Sequence, residues 1–370
     1  MRIVFFMQDT GSVFGAERAT LDLAHGLRTV GCRPIFFLID ELRLGGRESG
    51  LRTAVEAEGF PLHRFTVEGR LSRSLARRIR SKFNEVGGDV LHVIGYKANL
   101  HAWLGDIHPV VATVHGWLFR NDLKERLYDA IDLFALRRCD QVICLSRYYE
   151  DYLLRKSVLR ERLVRIPSGL RDVPELAGAS TPSRMKPTFG MLGRFSEEKN
   201  HELFLHAAHG LRRQFPEATF ICAGTGPRAE AVKDLAASLH LGACMKFPGY
   251  KEVHAFMQTV DVYVICSRIE NLPYSILEAM AWARPVIGTE VGGIPDLIVN
   301  GETGSLVPAG DVAALQKAMA IFCEQPALIE TRGKAGRKRL LDHFTLDQSV
   351  AMHVDLYKRQ ITANRDAASG

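Results

Sequence analysis

The chain has 370 residues, 46% of them hydrophobic and 24% charged. That length exceeds what one hydrophobic core usually serves, so two domains are expected, and the composition is ordinary for a soluble globular protein. No apolar run reaches the roughly 18–20 residues that a membrane-spanning helix needs. The opening MRIVFFM lacks the charged region, longer apolar stretch and small-residue cleavage site of a signal peptide, so a cytoplasmic location is expected. The seven cysteines are odd in number and scattered, with no CxxC pair, which indicates neither a disulfide framework nor a zinc site. Several fall in apolar runs such as VICLS and YVICS and read as small buried hydrophobes. The net charge of +6 lies wholly in the first half: residues 1–170 carry 26 Lys+Arg against 20 Asp+Glu, and the remainder carries 22 of each. A basic half points to an anionic partner: nucleic acid, an acidic acceptor or a membrane surface.

In chain order, IVFFM opens as a strand, residues 15–29 form a helix with Ala19, Leu23 and Leu27 on one face, and IFFLI at 35–39 is a second strand. The segment GRLSRSLARRIRSKF, 69–83, has Leu71, Leu75, Ile79 and Phe83 at helical spacing, surrounded by Arg70, Arg73, Arg77, Arg78, Arg80 and Lys82. Such a basic amphipathic helix suits an anionic membrane surface, and equally a surface helix that packs its stripe on a sheet. VLHVI at 90–94, VVATVH at 110–115 and QVICLS at 141–146 read as buried strands. The alternation of strand and helix predicts a doubly wound parallel sheet. Between 166 and 187 it breaks into a stretch with four prolines, three serines and two glycines, which marks 171–187 as a linker between domains at 1–170 and 188–345. Strands then recur at 188–192, 218–224, 244–249, 261–267 and 285–289, and a closing helix is expected over 346–362.

The strongest chemical signal is SRIENLPYSILEAMAWARPVIGTEVGGIPD, 267–296. A strand ends near Ser267, a loop carries Glu270, Pro273 suits the first turn of a helix, and Glu278 lies about a turn inside it. Ligands of open α/β sheets bind beyond the carboxyl ends of the strands, and a helix start there offers free N–H groups to phosphate. Ionised carboxylates accept hydrogen bonds from sugar hydroxyls, although two glutamates near a helix start are also what the helix dipole favours on any surface. A second signal, GRFSEEKN at 193–200, follows the first strand of the second half and supplies Arg194 and Lys199, a cation pair suited to a diphosphate; strand–turn–helix segments with such cations are common without a ligand. A third, TGSVFGAERA at 10–19, places Gly11 and Gly15 where a tight loop meets a helix start. It is no G-x-G-x-x-G fingerprint, so a nicotinamide or flavin is not supported. A fourth, VATVHGW at 111–117, ends a buried strand on His115, and a lone histidine is more often structural than functional.

Taken together these segments resemble the retaining GT-B glycosyltransferases, family 4. The 267–296 segment is similar to that family's E-x7-E region at Ser267, Glu270, Pro273, Leu277, Glu278, Ala279, Met280, Ala281, Pro285, Val286, Ile287, Thr289, Gly292, Gly293 and Pro295. It departs at Asn271, where Gly is frequent, at Ala283 before Arg284, where Gly is usual, and at Asp296, where Glu is common. The resemblance extends over nearly the whole chain and implies two Rossmann-like domains facing across a cleft, with the closing helix packing back on the first. It implies that Glu270 holds the transferred sugar and Glu278 the ribose, with Asn271, Leu272, Tyr274 and Ser275 beside the donor. It further implies that Gly193, Arg194 and Lys199 meet the diphosphate, that Gly224 and Tyr250 belong to loops around the base, that Gly15 meets the donor phosphates or the acceptor, and that His115 lies beside the transferred sugar. The expected activity is transfer of a sugar, with retention, from a UDP- or GDP-linked donor to a glycan or lipid-linked acceptor in envelope polysaccharide or glycolipid synthesis. No metal, no other cofactor and no nucleic-acid partner are expected. The membrane surface reached through 69–83 remains open, as do two rival functions on the same fold, a nucleotide-sugar epimerase or hydrolase and a non-catalytic binding subunit.

Overall fold

The computed structural model describes residues 1–9, 11, 13, 15–41, 49–67, 72–116, 123–176 and 186–369. Thr10, Ser12 and Phe14 of the glycine loop, Arg70 and Leu71 of the basic segment, Trp117 and most of the expected linker lie outside them. The chain forms two compact units, residues 1–171 with 345–370 and residues 172–344.

In the first unit the strands are β1 (Arg2–Gln8), β2 (Arg33–Glu41), β3 (Leu62–Val67), β4 (Val90–Ile94), β5 (Val110–Val114), β6 (Gln141–Cys144) and β7 (Leu163–Arg165). The intervening helices are α1 (Gly15–Thr29), α2 (Gly50–Ala57), α3 (Arg73–Glu85), α4 (Tyr96–Leu104), α5 (Leu123–Leu136) and α6 (Arg147–Arg155). The second unit has β8 (Thr188–Leu192), β9 (Thr219–Ala223), β10 (Met245–Lys246), β11 (Val262–Ile265), β12 (Val286–Thr289) and β13 (Gly304–Val307). Its helices are α7 (His201–Arg212), α8 (Ala229–Ser238), α9 (Val253–Met257), α10 (Tyr274–Ala281), α11 (Ile294–Leu297), α12 (Val312–Glu324) and α13 (Ala327–His343), after which α14 (Leu346–Ser369) belongs to the first unit.

Both sheets are parallel throughout, in the orders β3-β2-β1-β4-β5-β6-β7 and β10-β9-β8-β11-β12-β13. Each starts at its centre, winds one way, then reverses, so each has a switch point: between β1 and β4, and between β8 and β11. Central strands such as β4, β5 and β11 are buried along their whole length, as parallel strands covered on both faces must be. The expected strand at 244–249 shrinks to Met245–Lys246 at the sheet edge. Six of the seven cysteines are buried and the seventh, Cys323, is half-buried; all are free thiols.

Of the two readings of the basic segment, the described residues match the surface helix packed on its own unit. Its helix, α3, caps on Ser72, whose hydroxyl accepts from the Leu75 N–H. Leu75, Ile79 and Phe83 are buried in the core of the first unit, while Arg73, Arg77, Arg78 and Arg80 stay exposed. The described part of the apolar stripe, Leu75, Ile79 and Phe83, is therefore covered by the core of the first unit and is not free to enter a bilayer.

The returning helix α14 is tied to the first sheet by polar and apolar contacts. The Tyr357 hydroxyl lies 2.5 Å from His92 Nδ1, and His92 Nε2 lies 2.6 Å from Thr113 Oγ1. Gly26 on α1 lets α14 approach: a Cβ there would fall 2.5 Å from Val350.

Candidate active site

In the second unit the switch point brings two distant segments together. The GRFSEEKN loop leaves β8 and the SRIENL loop leaves β11, its neighbour in the sheet. Across that junction the Lys199 ammonium pairs with Glu270, whose carboxylate also accepts a 2.7 Å hydrogen bond from Ser267 Oγ. The loops are joined through backbone as well, the Arg268 N–H donating to the Glu198 carbonyl at 2.8 Å. Asn200, in the left-handed conformation at φ 53°, turns the chain from this loop into α7.

Three glycines are required by close approach. Gly292, at φ +53°, lies where a Cβ would meet the Glu270 carbonyl oxygen at 1.7 Å. Gly224, at φ +136°, would place a Cβ 1.9 Å from the Gly193 carbonyl oxygen, and Gly226, at φ +157°, would place one 2.4 Å from that of Phe195. Backbone bonds lace the same loops: Gly193 N–H to Ala223 O, Phe195 N–H to Thr225 O, and Gly224 N–H to Gly249 O, at 2.8–3.0 Å. Gly193 itself is different, because an added Cβ would meet no protein atom closer than Lys199 at 3.9 Å. Nothing in the fold excludes a side chain there.

Pro273 is the N-cap of α10, one residue before the first turn, and Glu278 sits buried on that helix. Asn271, Leu272 and Tyr274 are buried at the helix start, and Ser275 is half-buried. Arg194 is exposed on the same loop as Lys199, and Tyr250 is 77% exposed beyond β10. A residue the sequence reading missed organises this edge. Tyr263 on β11 is fully buried, donates to the Leu192 carbonyl at 3.2 Å and bonds with Ser275, which joins the end of β8 to the start of α10. Burial pushes its phenol pKa up, and the charges of Glu278 and Glu270 push it the same way.

The other two candidates, Gly15 and His115, belong to the first unit, at the matching edge of its sheet. A cavity of about 330 Å³ opens there beyond the ends of β1, β4 and β5. His115 lines it, and burial pushes that imidazole down to about 4, so it is neutral at pH 7. Gly15 starts α1 with no protein atom within 4 Å of a would-be Cβ. The remaining wall was not foreseen. Lys97 on α4 forms a buried ion pair with Glu41 at the end of β2, and burial lowers its pKa to about 8. Asn99 donates to Asp132 at 2.6 Å, and the rings of Tyr96 and Tyr128 stack with centroids 5.1 Å apart. Gly95, at φ +87° directly after β4, and Gly116, at φ +104° beyond β5, are local signs of special loops. Partners such as Glu41, on a strand, and Lys97, on a helix, lie far apart along the chain and leave no joint pattern in sequence.

Comparison with known proteins agrees with this architecture. Residues 13–172 match the family model "Glycosyltransferase Family 4" and residues 173–339 match "Glycosyl transferases group 1". EpsD of Bacillus subtilis, which carries the name of a glycosyltransferase, is 32% identical over 295 residues, 74% of each chain. The chain belongs to the glycosyltransferases and has their GT-B fold. The 2-deoxystreptamine N-acetyl-D-glucosaminyltransferase of Streptomyces fradiae is 30% identical over 250 residues, 60% of this chain and 59% of that protein's length. Among solved structures, Anabaena HepE in complex with UDP superposes with a TM-score of 0.82 at 19% identity, covering 97% of this chain and 100% of that one.

Proposed function

We propose that the protein is a retaining, metal-independent hexosyltransferase that moves a sugar from a UDP- or GDP-linked donor to a glycan or lipid-linked acceptor in cell-envelope polysaccharide or glycolipid synthesis, acting in the cytoplasm. The observation that carries the reading is the Lys199–Glu270 ion pair at the switch point of the second sheet. There the carboxyl ends of adjacent strands and the start of α10 converge, the arrangement in which open α/β sheets hold nucleotides. That HepE was solved with UDP supports a uridine donor.

In this reading Lys199 and Arg194 meet the charge that develops on the departing diphosphate, Gly193 allows the phosphates close to the backbone, and Glu270 holds hydroxyls of the transferred sugar. Glu278 holds the ribose, and Tyr250 and Gly224 flank the base. The acceptor hydroxyl oxygen bonds to the anomeric carbon on the face from which the sugar–phosphate bond breaks. The leaving phosphate oxygen takes the bonding pair and then the acceptor's proton. His115, neutral at pH 7, hydrogen-bonds the sugar rather than supplying charge.

The test is a thermal-shift screen with UDP, GDP and ADP sugars, since a ligand of the folded state raises the melting temperature by mass action, followed by NMR of the product made with acceptor. A UDP or GDP sugar should shift the transition, and the product should keep the donor's anomeric configuration. An inverted product rules out retention. Release of free or epimerised sugar with acceptor present, and no glycoside, makes the protein a hydrolase or epimerase.

A further inference from the structure

With the stripe of α3 buried, the exposed apolar surface of the first unit lies elsewhere. Helices α4 and α5 pack side by side and leave between them a groove of about 380 Å³ lined by Leu100, Trp103, Leu104, Ala130, Ile131 and Phe134. Trp103 is 40% exposed at its rim, and Leu127, one turn before Ile131 on α5, is 59% exposed. A second cleft, of about 340 Å³, shares Trp103 and is polar, holding Arg138, Arg162 and His108. Arg138 stands at the boundary of the two, its guanidinium 3.6 Å above the Phe134 ring and 5.6 Å from that of Trp103.

The charges around the clefts are mixed and mostly basic. Asp140 accepts from the His108 ring at 2.8 Å, and Asp106 pairs with Arg80 at 3.5 Å. Arg162 donates to the Arg137 carbonyl at 2.7 Å, a neutral partner that leaves its charge unmatched by that bond. Beyond α4 lies α3, which packs on it and turns Arg73, Arg77 and Arg78 to the surface. The charge excess of the chain belongs to residues 1–170.

We propose that the α4–α5 face docks on an anionic phospholipid bilayer, with the groove and Trp103 seated among the upper acyl chains and Arg138 and Arg162 meeting lipid phosphates. The chemistry is that of an interfacial anchor: an indole at the headgroup level, cations whose stems lie along apolar surface, and a flanking basic face drawn to negative lipid. An uncharged protein partner would satisfy the groove and leave the arginines unmatched. The surface is independent of the donor reading, because none of its residues belongs to the sugar-nucleotide site. It replaces the stripe of α3 as the apolar part of the contact and keeps that helix's arginines as the electrostatic part.

The experiment is co-sedimentation of the full chain with vesicles of phosphatidylcholine alone and of phosphatidylcholine with phosphatidylglycerol, at low and high salt. Binding to the anionic vesicles is expected, weakened by salt, with the bound-to-free ratio reduced at least tenfold in both Trp103→Ala and Arg138→Glu. The chain has three tryptophans, and a blue shift of emission on anionic vesicles should vanish in Trp103→Phe. Leu127→Ser, at a well-exposed site, serves as the independent variant should Trp103→Ala unfold. Melting temperatures and UDP-induced shifts are read on the same variants and should match the wild type, which separates a failure of this face from a failure of the donor site. Equal binding to both vesicle types, binding to neither, or variants that sediment like the wild type overturns the proposal. So does a dimer of the wild type that Trp103→Ala disperses in the absence of vesicle binding, which would give the face to a second copy of the chain.

Discussion

At the carboxyl edge of the second sheet the loops are bonded to one another through backbone, and at the corresponding edge of the first sheet the described residues around the cavity meet mainly through side chains. The loops after β8, β9, β10 and β11 exchange N–H to carbonyl bonds, and Gly224, Gly226 and, after β12, Gly292 press against carbonyl oxygens. The cavity beyond β1, β4 and β5 is lined by Lys97, which pairs with Glu41 behind it, by the Asn99–Asp132 bond and by the Tyr96–Tyr128 stack. A backbone template tolerates little change in shape, whereas a side-chain wall can be rebuilt one substitution at a time. Under the proposed function the first would hold the nucleoside diphosphate and the second the acceptor.

Substitutions can break that comparison or sharpen it. The largest effect is expected for Glu270→Ala, which should lower turnover on the order of 10³-fold while weakening nucleotide binding only modestly. Steady-state kinetics beside UDP titration would show it, and unchanged turnover would mean that Glu270 does not hold the transferred sugar. Lys97→Met should cost about 3–5 kcal/mol in a denaturant titration, because it leaves the buried Glu41 carboxylate without its cation. A loss below about 1 kcal/mol would mean that the first edge does not depend on its side-chain pair. Gly292→Ala combines a left-handed conformation with a clash against backbone and should cost about 2–4 kcal/mol. Recovery of full stability and of donor binding would show that the loops of the second edge are not a rigid template.

The smallest effect concerns His201, which stacks on Phe195 at 4.2 Å with neither ring nitrogen hydrogen-bonded. Burial lowers its pKa to about 4, as it does for His115 and His353. An unfolded histidine takes a proton near pH 6.5, so as pH falls from 6.5 towards 4 the unfolded state gains protons that the folded state excludes. Each such group then removes about 1.4 kcal/mol of stability per pH unit. His201→Phe should leave stability at pH 7 within about 1 kcal/mol of the wild type and reduce the acid-limb slope by one proton. An unchanged slope would show that His201 is not held neutral in the fold.

The extent to which all this could be read in advance follows from distance along the chain. Strands covered on both faces are continuous apolar runs, and IFFLI, VVATV and VYVI announced themselves. The edge strand β3, with alternating exposed residues, and the short β7 and β13 carried no such run and were not foreseen. For α3 the period of the stripe was correct, yet periodicity says only that one face is covered and not by what. In the site, Glu270, Glu278, Arg194 and Lys199 were visible because each motif is compact in sequence. Tyr263 was not, because a tyrosine in a strand looks like core until its hydroxyl is seen between Leu192 and Ser275. Gly292 was visible as a motif glycine, while its reason, the carbonyl of Glu270, needed the fold.

The return of α14 to the first unit has a consequence for how the protein is made. Residues 172–344 form their unit from one uninterrupted stretch, whereas the first unit needs residues 345–370 as well. Val350, Leu356 and Tyr357 are buried there, and Tyr357 reaches His92 across 265 residues. During synthesis, which proceeds from the N-terminus with domains folding as units, the half translated first must wait for α14 to leave the ribosome. Until then the surface that α14 covers stays open to water or to a chaperone, and the second half of the protein can be complete before the first.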